Sequence, residues 1–159
     1  MMEKVNAILR HPVFSEHLAR LDVLEQPRIF CRHDLSHLMD VARLMWIAAL
    51  ERQLPLNREV VYAAALLHDL GRVEQMEAGI PHHQASSELA ARILPEVGFS
   101  ANEIAQIQNA IACHRGDGGE NMLGQLLYWA DKKSRACWMC PARNECNWPD
   151  EKKNWKITR

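Results

Sequence analysis

A histidine and an aspartate, His68 and Asp69, end the most apolar segment of the chain, YAAALLHDLGRV at residues 62–73. Burying polar groups of this kind without partners costs roughly 2–7 kcal/mol each, and more for a charge. Other groups must therefore compensate these two side chains inside the fold. A metal ion is one partner that binds an imidazole and a carboxylate together.

Other histidines and a second aspartate recur where helical periodicity predicts an inward direction. His37 begins an apolar stripe through Val41 and Ala48, and His114 continues a stripe of isoleucines. A single inward histidine is more often a hydrogen-bonded core residue than a ligand. Several such groups on successive helices favour a metal site, because one cation can satisfy all of them. The candidate ligands are His37, His68, Asp69, His82, His83, His114 and Asp131.

The type of ligand restricts the type of metal. Mixed imidazole and carboxylate ligation favours iron, manganese, zinc or cobalt over magnesium, which prefers oxygen ligands. We therefore expect a transition metal at this site.

The elements that must position these residues are helices. Strand signals are nearly absent, and apolar residues recur every three to four positions along the chain. The sequence predicts an all-α bundle of about five to seven helices at residues 1–136. A cysteine-containing C-terminal tail, residues 137–159, is expected to pack on the same domain.

Capping residues mark where these helices begin and end. Asn57 is the predicted N-cap of the helix that carries the His68–Asp69 pair, and Gly71 is its predicted stop. Pro81 opens the next helix, and Ser100 is the predicted N-cap of the helix that leads to the later histidine.

The composition argues against several classes of partner. The 159 residues are 48% hydrophobic and 25% charged, an ordinary profile for one globular domain. The formal net charge of −1 gives no bulk electrostatic basis for binding macromolecular nucleic acid or an anionic membrane. No apolar run approaches the roughly 20 residues that span a bilayer, and the N-terminal residues lack a secretory signal. We expect a cytoplasmic protein, and the sequence leaves its oligomeric state open.

The order of the candidate ligands resembles that of a known family. His37, the adjacent His68 and Asp69, and finally Asp131 resemble the ligands of the HD-domain superfamily of metal-dependent phosphohydrolases. The segments HLMDVARL, AALLHDLGR and WADKKSR agree with this resemblance, which covers roughly residues 30–136. It implies an HD-domain bundle that hydrolyses phosphomonoesters or phosphoanhydrides, often of nucleotides.

The additional histidines resemble ligands of the binuclear members of that superfamily. The segment PHHQASSELA favours His82 as a ligand, with His83 as the alternative, and AIACHRG supplies His114. Some binuclear relatives have a second adjacent histidine where this chain has Arg115. The resemblance implies one or two ions, and in the two-metal arrangement Asp69 bridges them. The first ion then binds His37, His68 and Asp131, and the second binds His82 and His114.

Cations next to the candidate ligands predict contacts with phosphate groups. Arg72 follows the His–Asp pair, and Arg115 and Lys132 each follow another candidate ligand. Solvated or acid-paired cations are the alternative, which is favoured for Lys133. By analogy with dinucleoside tetraphosphate hydrolases that have a similar ligand set, we expect a small phosphorylated substrate, first of all a nucleotide. The predicted catalytic residues are Asp69, His68, Arg72, Arg115 and Lys132.

Two other functions fit the same residues. The six-ligand set also resembles that of mixed-valence di-iron oxygenases of the same superfamily, such as myo-inositol oxygenase. A metal-held helical module that senses a nucleotide without turnover is the third hypothesis.

The C-terminal tail contains a cysteine motif outside the general pattern of that superfamily. CWMCPARNECNW places Cys137, Cys140 and Cys146 in a C-x2-C-x5-C arrangement, and Cys31 is the predicted fourth ligand. Four thiolates can hold a structural zinc ion or an iron–sulfur cluster. Free thiols or a single disulfide are the alternative. Cys113 lies in an apolar stripe and is predicted to be a buried core thiol.

Overall fold

The computed structural model describes residues 1–116 and 118–157, and these residues form helices without any strand. The predicted all-α class is confirmed. Seven of the eight α-helices have eight residues or more, in agreement with the expected number. The α-helices are α1 (Glu3–Arg10), α2 (Pro12–Leu24), α3 (Leu35–Glu51), α4 (Arg58–Leu67), α5 (Arg72–Ala78), α6 (His82–Glu96), α7 (Ala101–Cys113) and α8 (Met122–Lys133). Short 3-10 helices follow at Cys137–Met139 and Asp150–Lys152.

Helix α4 lies at the centre of the bundle. It contacts α1, α3, α6, α7 and α8, and its residues 63–67 have no exposed surface. The two leucines at its end each stabilise the fold by about 1.5–3 kcal/mol through burial. This central position explains why the segment is so apolar. It also explains how His68 and Asp69, which follow directly, come to lie in the interior.

The helices around α4 bring further polar side chains to its C-terminal end. Helix α3 contacts α8, α8 contacts α7, and α7 contacts α6. Each of these four helices carries one or more of the candidate ligands at its beginning or its end. Among the described residues, none of the helices has both the length and the apolar character that crossing a membrane requires.

Capping fixes the starts of these helices. The Asn57 side chain accepts a hydrogen bond from the Glu59 N–H at 2.8 Å, and Ser100 forms a capping box with Glu103, so both predicted N-caps are confirmed. Asp34 caps α3 by accepting from the N–H of His37 at 2.9 Å. The cap of α3 therefore also fixes the backbone of a candidate ligand.

The predicted role of Gly71 as a helix stop is wrong. Helix α4 ends at Leu67, and Gly71 has a φ of −67°, which is not the left-handed conformation of a glycine cap. Gly71 lies instead against the first turn of α6. A Cβ at this position would lie 2.4 Å from the His82 carbonyl oxygen and 2.4 Å from the Ser86 nitrogen. Glycine is needed here because two backbone segments approach each other closely.

The C-terminal tail packs against the end of α8 through Asn154. The buried amide of this residue donates to the carbonyl oxygens of Lys132 at 2.8 Å and Arg135 at 2.9 Å. Lys133 donates to its side-chain oxygen at 3.4 Å. These contacts join the tail to the helical bundle, and the domain boundary after residue 136 stays a prediction.

Candidate metal centre

Two groups of buried histidine and aspartate side chains share Asp69. Within each group the potential ligand atoms lie within 4.8 Å of one another. The first group consists of His37, His68, Asp69 and Asp131, and the second of Asp69, His82 and His114. All six side chains belong to buried residues. Together they are termed the His/Asp centre.

The two carboxylate oxygens of Asp69 face different groups. Oδ2 lies 3.1 Å from Nε2 of His68 and 3.7 Å from Nε2 of His37. Oδ1 lies 3.5 Å from Nε2 of His82 and 4.0 Å from Nε2 of His114. A carboxylate between two sets of imidazole nitrogens has the position that a bridging ligand requires.

Hydrogen bonds at the opposite ring nitrogen orient three of these histidines. Nδ1 of His68 lies 2.7 Å from the carbonyl oxygen of the residue three positions earlier, and His114 makes the same contact in its own turn. Nδ1 of His82 lies 3.0 Å from Oε1 of Gln75. When Nδ1 donates in these bonds, Nε2 is the nitrogen directed at Asp69, and its lone pair can bind a metal when the ring is neutral.

His37 is oriented by Ser134 in the turn after α8. The serine hydroxyl donates to the carbonyl oxygen of Asp131 at 2.9 Å and lies 3.2 Å from Nδ1 of His37. Because the hydroxyl proton is donated to Asp131, the serine oxygen is left to accept a hydrogen bond from the Nδ1–H of His37. Nε2 of His37 then faces Oδ1 of Asp131 at 3.3 Å.

The donor set of the centre fits a metal ion. Among the described residues, neither Nε2 of His68 nor Oδ2 of Asp69 has a partner in hydrogen-bond geometry, although the two buried atoms lie 3.1 Å apart. A buried polar atom without a partner costs about 1–3 kcal/mol. A single cation next to these two atoms would satisfy both, and the mixed imidazole and carboxylate ligands suit a transition metal.

The carboxylates set the protonation of the histidines around them. Burial opposes the charged form of His68, but Asp69 and Asp131 outweigh burial and raise the pKa of His68 to about 10. Burial lowers the pKa of His82 to about 3 and that of His114 to about 4. At pH 7 the metal-free centre therefore holds a proton on His68, while the two histidines of the second group are neutral.

Metal binding is expected to release the proton of His68, because a ligand imidazole must be neutral. Below the raised pKa of about 10, each unit of falling pH should weaken metal binding by about tenfold. Calorimetric titration in buffers with different ionisation enthalpies measures this release. Close to one proton should appear per metal ion bound to the first group, and binding heats that do not depend on the buffer would contradict the expectation.

The predicted phosphate-binding cations meet in one cavity beside the centre. This cavity has a volume of about 220 Å³, and its lining includes Arg72, Arg115 and Lys132 together with candidate ligands from both groups. Nε of Arg72 donates to Oδ1 of Asp69 at 2.9 Å, and Nζ of Lys132 donates to Oδ2 of Asp131 at 2.7 Å. The structure thus brings all three predicted cations together, two of them paired with candidate ligands.

His83 lies outside both groups of potential ligands. Its ring packs edge-on against the ring of His82 with the centroids 5.9 Å apart, and its buried Nδ1 has no hydrogen-bond partner among the residues that the structure describes. The geometry favours His82 as the ligand in this segment, and that role stays a proposal.

Sequence reasoning missed a buried pair at the edge of the centre, His33 and Glu25. Oε1 of Glu25 lies 2.5 Å from Nδ1 of His33, and Oε2 accepts from the His33 N–H at 2.7 Å. Nε2 of His33 lies 3.9 Å from Oδ2 of Asp69. Burial lowers the pKa of His33 to about 4, so this ring is neutral at pH 7. The sequence did contain one signal for His33: it lies four residues before His37, the spacing of side chains on one helix face.

The Arg135 side chain packs against the first group of candidate ligands, beside His37. Its side chain is 10% exposed, and Nη2 lies 3.1 Å from Nε2 of His37. Nη1 donates to the carbonyl oxygen of Arg32 at 2.7 Å. The guanidinium therefore connects the His/Asp centre with the loop that precedes α3.

Comparison with known proteins identifies a family for most of the chain. Residues 34–136 match the family model of the HD domain. The chain is 42% identical over 156 residues to an uncharacterized protein of Clostridium beijerinckii, with 98% of this chain and 99% of that protein covered. It is 31% identical over 127 residues to ribonuclease Y of Syntrophobacter fumaroxidans, which covers 79% of this chain but 22% of that enzyme.

A solved structure has a similar fold. The crystal structure of a predicted HD superfamily hydrolase from an uncultured Thermotogales bacterium matches with a TM-score of 0.68 and 22% identity. The match covers 90% of this chain and 80% of that chain. At this identity the similarity concerns the fold.

Proposed function

The chain belongs to the HD-domain family, and we propose that it is a metal-dependent phosphohydrolase for a nucleotide or another small phosphoester or phosphoanhydride. The observation that carries this proposal is the cavity in which three cations lie beside both groups of the His/Asp centre. Ligands for metal ions and cations for phosphate groups line the same space. We also propose that it acts in the cytoplasm, where its five free cysteines stay reduced.

The centre has residues for one or two ions of iron, manganese, zinc or cobalt. One ion would be held by His37, His68, Asp69 and Asp131, and a second by Asp69, His82 and His114. When bound, such ions activate water at neutral pH and stabilise the oxygens of an in-line displacement at phosphorus.

The cations of the cavity would orient the substrate. Lys132 has a side chain that is 43% exposed and can reach a phosphate group as a mobile point charge. Arg115 is exposed at the end of α7 and offers a planar guanidinium for bidentate contact. Arg72 is half-buried and paired with Asp69, so we assign it to the wall of the cavity nearest the carboxylates.

The proposal is tested by phosphate release under anaerobic conditions. Protein loaded separately with Mn²⁺, Fe²⁺, Co²⁺ or Zn²⁺ is incubated with a panel of nucleotides and other small phosphoesters. Release of phosphate or of a nucleotide product without oxygen supports the hydrolase. Turnover that requires oxygen would favour the oxygenase, and saturable nucleotide binding without any turnover would favour the sensor.

Lys132→Ala is expected to raise the KM for a phosphorylated substrate by about ten- to a hundredfold, because one charge-assisted contact to phosphate is worth roughly 1.5–3 kcal/mol. Lys133→Ala is the matched control, since the neighbouring lysine donates to Asn154 and does not line the cavity. Steady-state kinetics of both variants distinguish the two positions. Equal effects at both lysines would remove Lys132 from the substrate site.

A further inference from the structure

A second cavity is lined by four cysteines, and the proposed hydrolysis does not account for it. This cavity has a volume of about 240 Å³. It is termed the cysteine cavity and is defined by Cys31, Cys137, Cys140 and Cys146. It shares Arg72, Asp131 and Lys132 with the cavity beside the His/Asp centre. None of these cysteines forms a disulfide.

The cysteines come from two segments that are distant in sequence. Cys31 lies in the loop before α3, and the other three follow α8. Cys137 begins a 3-10 helix, and the N–H of Cys140 donates to its carbonyl oxygen at 3.2 Å. Because a 3-10 helix has three residues per turn, positions 137 and 140 lie on the same side. The sulfur of Cys146 accepts from the N–H of Trp148 at 3.5 Å.

The charge of the cysteine cavity favours an anionic occupant. Six cationic side chains and one carboxylate, that of Asp131, are part of its lining. The cations are Arg28, Arg72, Lys132, Arg135, Arg143 and Lys153. Four thiolates bound to iron and sulfide form an anionic unit, and these cations would offset its charge.

The spacing of the sulfurs argues against one zinc ion. Tetrahedral zinc with Zn–S bonds of about 2.3 Å holds its four sulfurs roughly 3.8 Å apart. In the described part of the chain, neither group of three or more ligand atoms within 4.8 Å contains a cysteine. In a cluster the thiolates bind different iron atoms, so its sulfurs do not need to lie as close together as they do around one zinc ion.

We propose that Cys31, Cys137, Cys140 and Cys146 bind an iron–sulfur cluster in the cysteine cavity. The cluster joins the loop before α3 to the C-terminal tail. Each thiol loses its proton to solvent when its sulfur binds iron, and the sulfurs keep their oxidation state. The ferric iron of an oxidised cluster has to be supplied as ferric iron, because the protein provides no oxidant.

Cys31 lies close enough to Cys137 and Cys140 for their charges to influence its pKa. Burial raises the pKa of the Cys31 thiol, Arg135 opposes this effect, and the nearby Cys140 and Cys137 add to it. The free thiol is therefore protonated at neutral pH, whereas a coordinating thiol is deprotonated by the metal.

The proposal is tested by reconstitution of the full chain with sulfide and a mixture of ferrous and ferric iron under anaerobic conditions, which supplies the iron at the oxidation level of the cluster. Acid-labile sulfide is the decisive measurement, because iron alone could also bind to the His/Asp centre. The wild-type protein should retain two or four sulfides per chain after desalting and show a broad visible absorption band. Cys140→Ser and Cys31→Ser should each lower the retained sulfide by at least about tenfold.

Cys113→Ser is the matched control. The prediction that Cys113 is a buried core thiol is wrong, because it is half-buried on α7, where its sulfur contacts the Asn109 side chain at 3.7 Å. It does not line the cysteine cavity, so this variant should keep the sulfide. Wild-type protein without retained sulfide, or with one zinc ion bound by these cysteines, would overturn the proposal. Helical circular dichroism checks that each variant folds, and Cys146→Ser replaces any variant that does not.

Discussion

Replacement of Asp69 by alanine is expected to remove metal from both groups of the His/Asp centre and to lower activity by more than about 100-fold. The carboxylate places one oxygen 3.1 Å from Nε2 of His68 and the other 3.5 Å from Nε2 of His82. Its loss also removes the negative charge between four imidazoles. Loss of a group that only orients a ligand typically costs about 10–100-fold in affinity or activity, so loss of a bridging ligand should exceed that range.

The effect of Asp69→Ala should be larger than that of either single histidine. His37→Ala should lower occupancy mainly in the first group, and His114→Ala mainly in the second. Asp40→Ala is the matched control, because Asp40 is an exposed carboxylate on α3 with Arg43 at 3.8 Å. The metal content of each variant is measured by atomic emission, and its turnover is measured on the same preparation. If Asp69→Ala keeps full metal content and activity, Asp69 is not a ligand and the two-metal assignment is wrong.

Much of the His/Asp centre could be predicted because helices impose a period on their buried faces. His37 begins an apolar stripe, His114 continues one, and His68 and Asp69 follow directly after the last residue of the central helix. A polar residue on such a stripe is directed inward wherever the helix packs. The pattern thus predicted which side chains lie in the interior, although it contained no distances between them.

The residues that sequence reasoning missed lie outside regular helices. His33 lies in the loop before α3, and its partner Glu25 is the C-cap of α2. No period relates these positions, so their contact depends on how the loop folds. Arg135 was expected from the sequence among the cations around Asp131, but not its contact with His37, against which its side chain is 10% exposed. In both cases the position of the side chain at the His/Asp centre depends on tertiary packing, which no local sequence pattern shows.

The glycine in the segment LHDLGR was misread for a related reason. A glycine after an apolar helix usually indicates a left-handed cap, which is a local property of the chain. Here the need for glycine comes from α6, whose first turn lies against Gly71. A close approach between distant segments leaves no local pattern in the sequence.

Gly71→Ala is therefore expected to destabilise the fold by about 3 kcal/mol or more and to weaken metal binding in the second group. Overpacking typically costs about 1–3 kcal/mol when side chains can yield. The atoms that a new Cβ would meet at 2.4 Å are backbone atoms of His82 and Ser86, which cannot rotate away. The same first turn of α6 carries the His82 ring. Relief of the clash must move this ring away from Asp69.

The measurements are urea unfolding of the metal-free protein and a metal titration of each folded variant. Ordinary van der Waals contact begins at 3.4 Å, so α6 must shift by about 1 Å to relieve the clash. A misplacement of this size can lower the rate of a catalysed reaction by about 100-fold. Binding to the first group should change less, because its ligands His37 and Asp131 lie on α3 and α8, away from α6. Gly116→Ala is the control, since its Cβ would meet only the Cys113 carbonyl oxygen at 3.8 Å. Equal stability of the two alanine variants would show that α6 does not depend on Gly71 for its position.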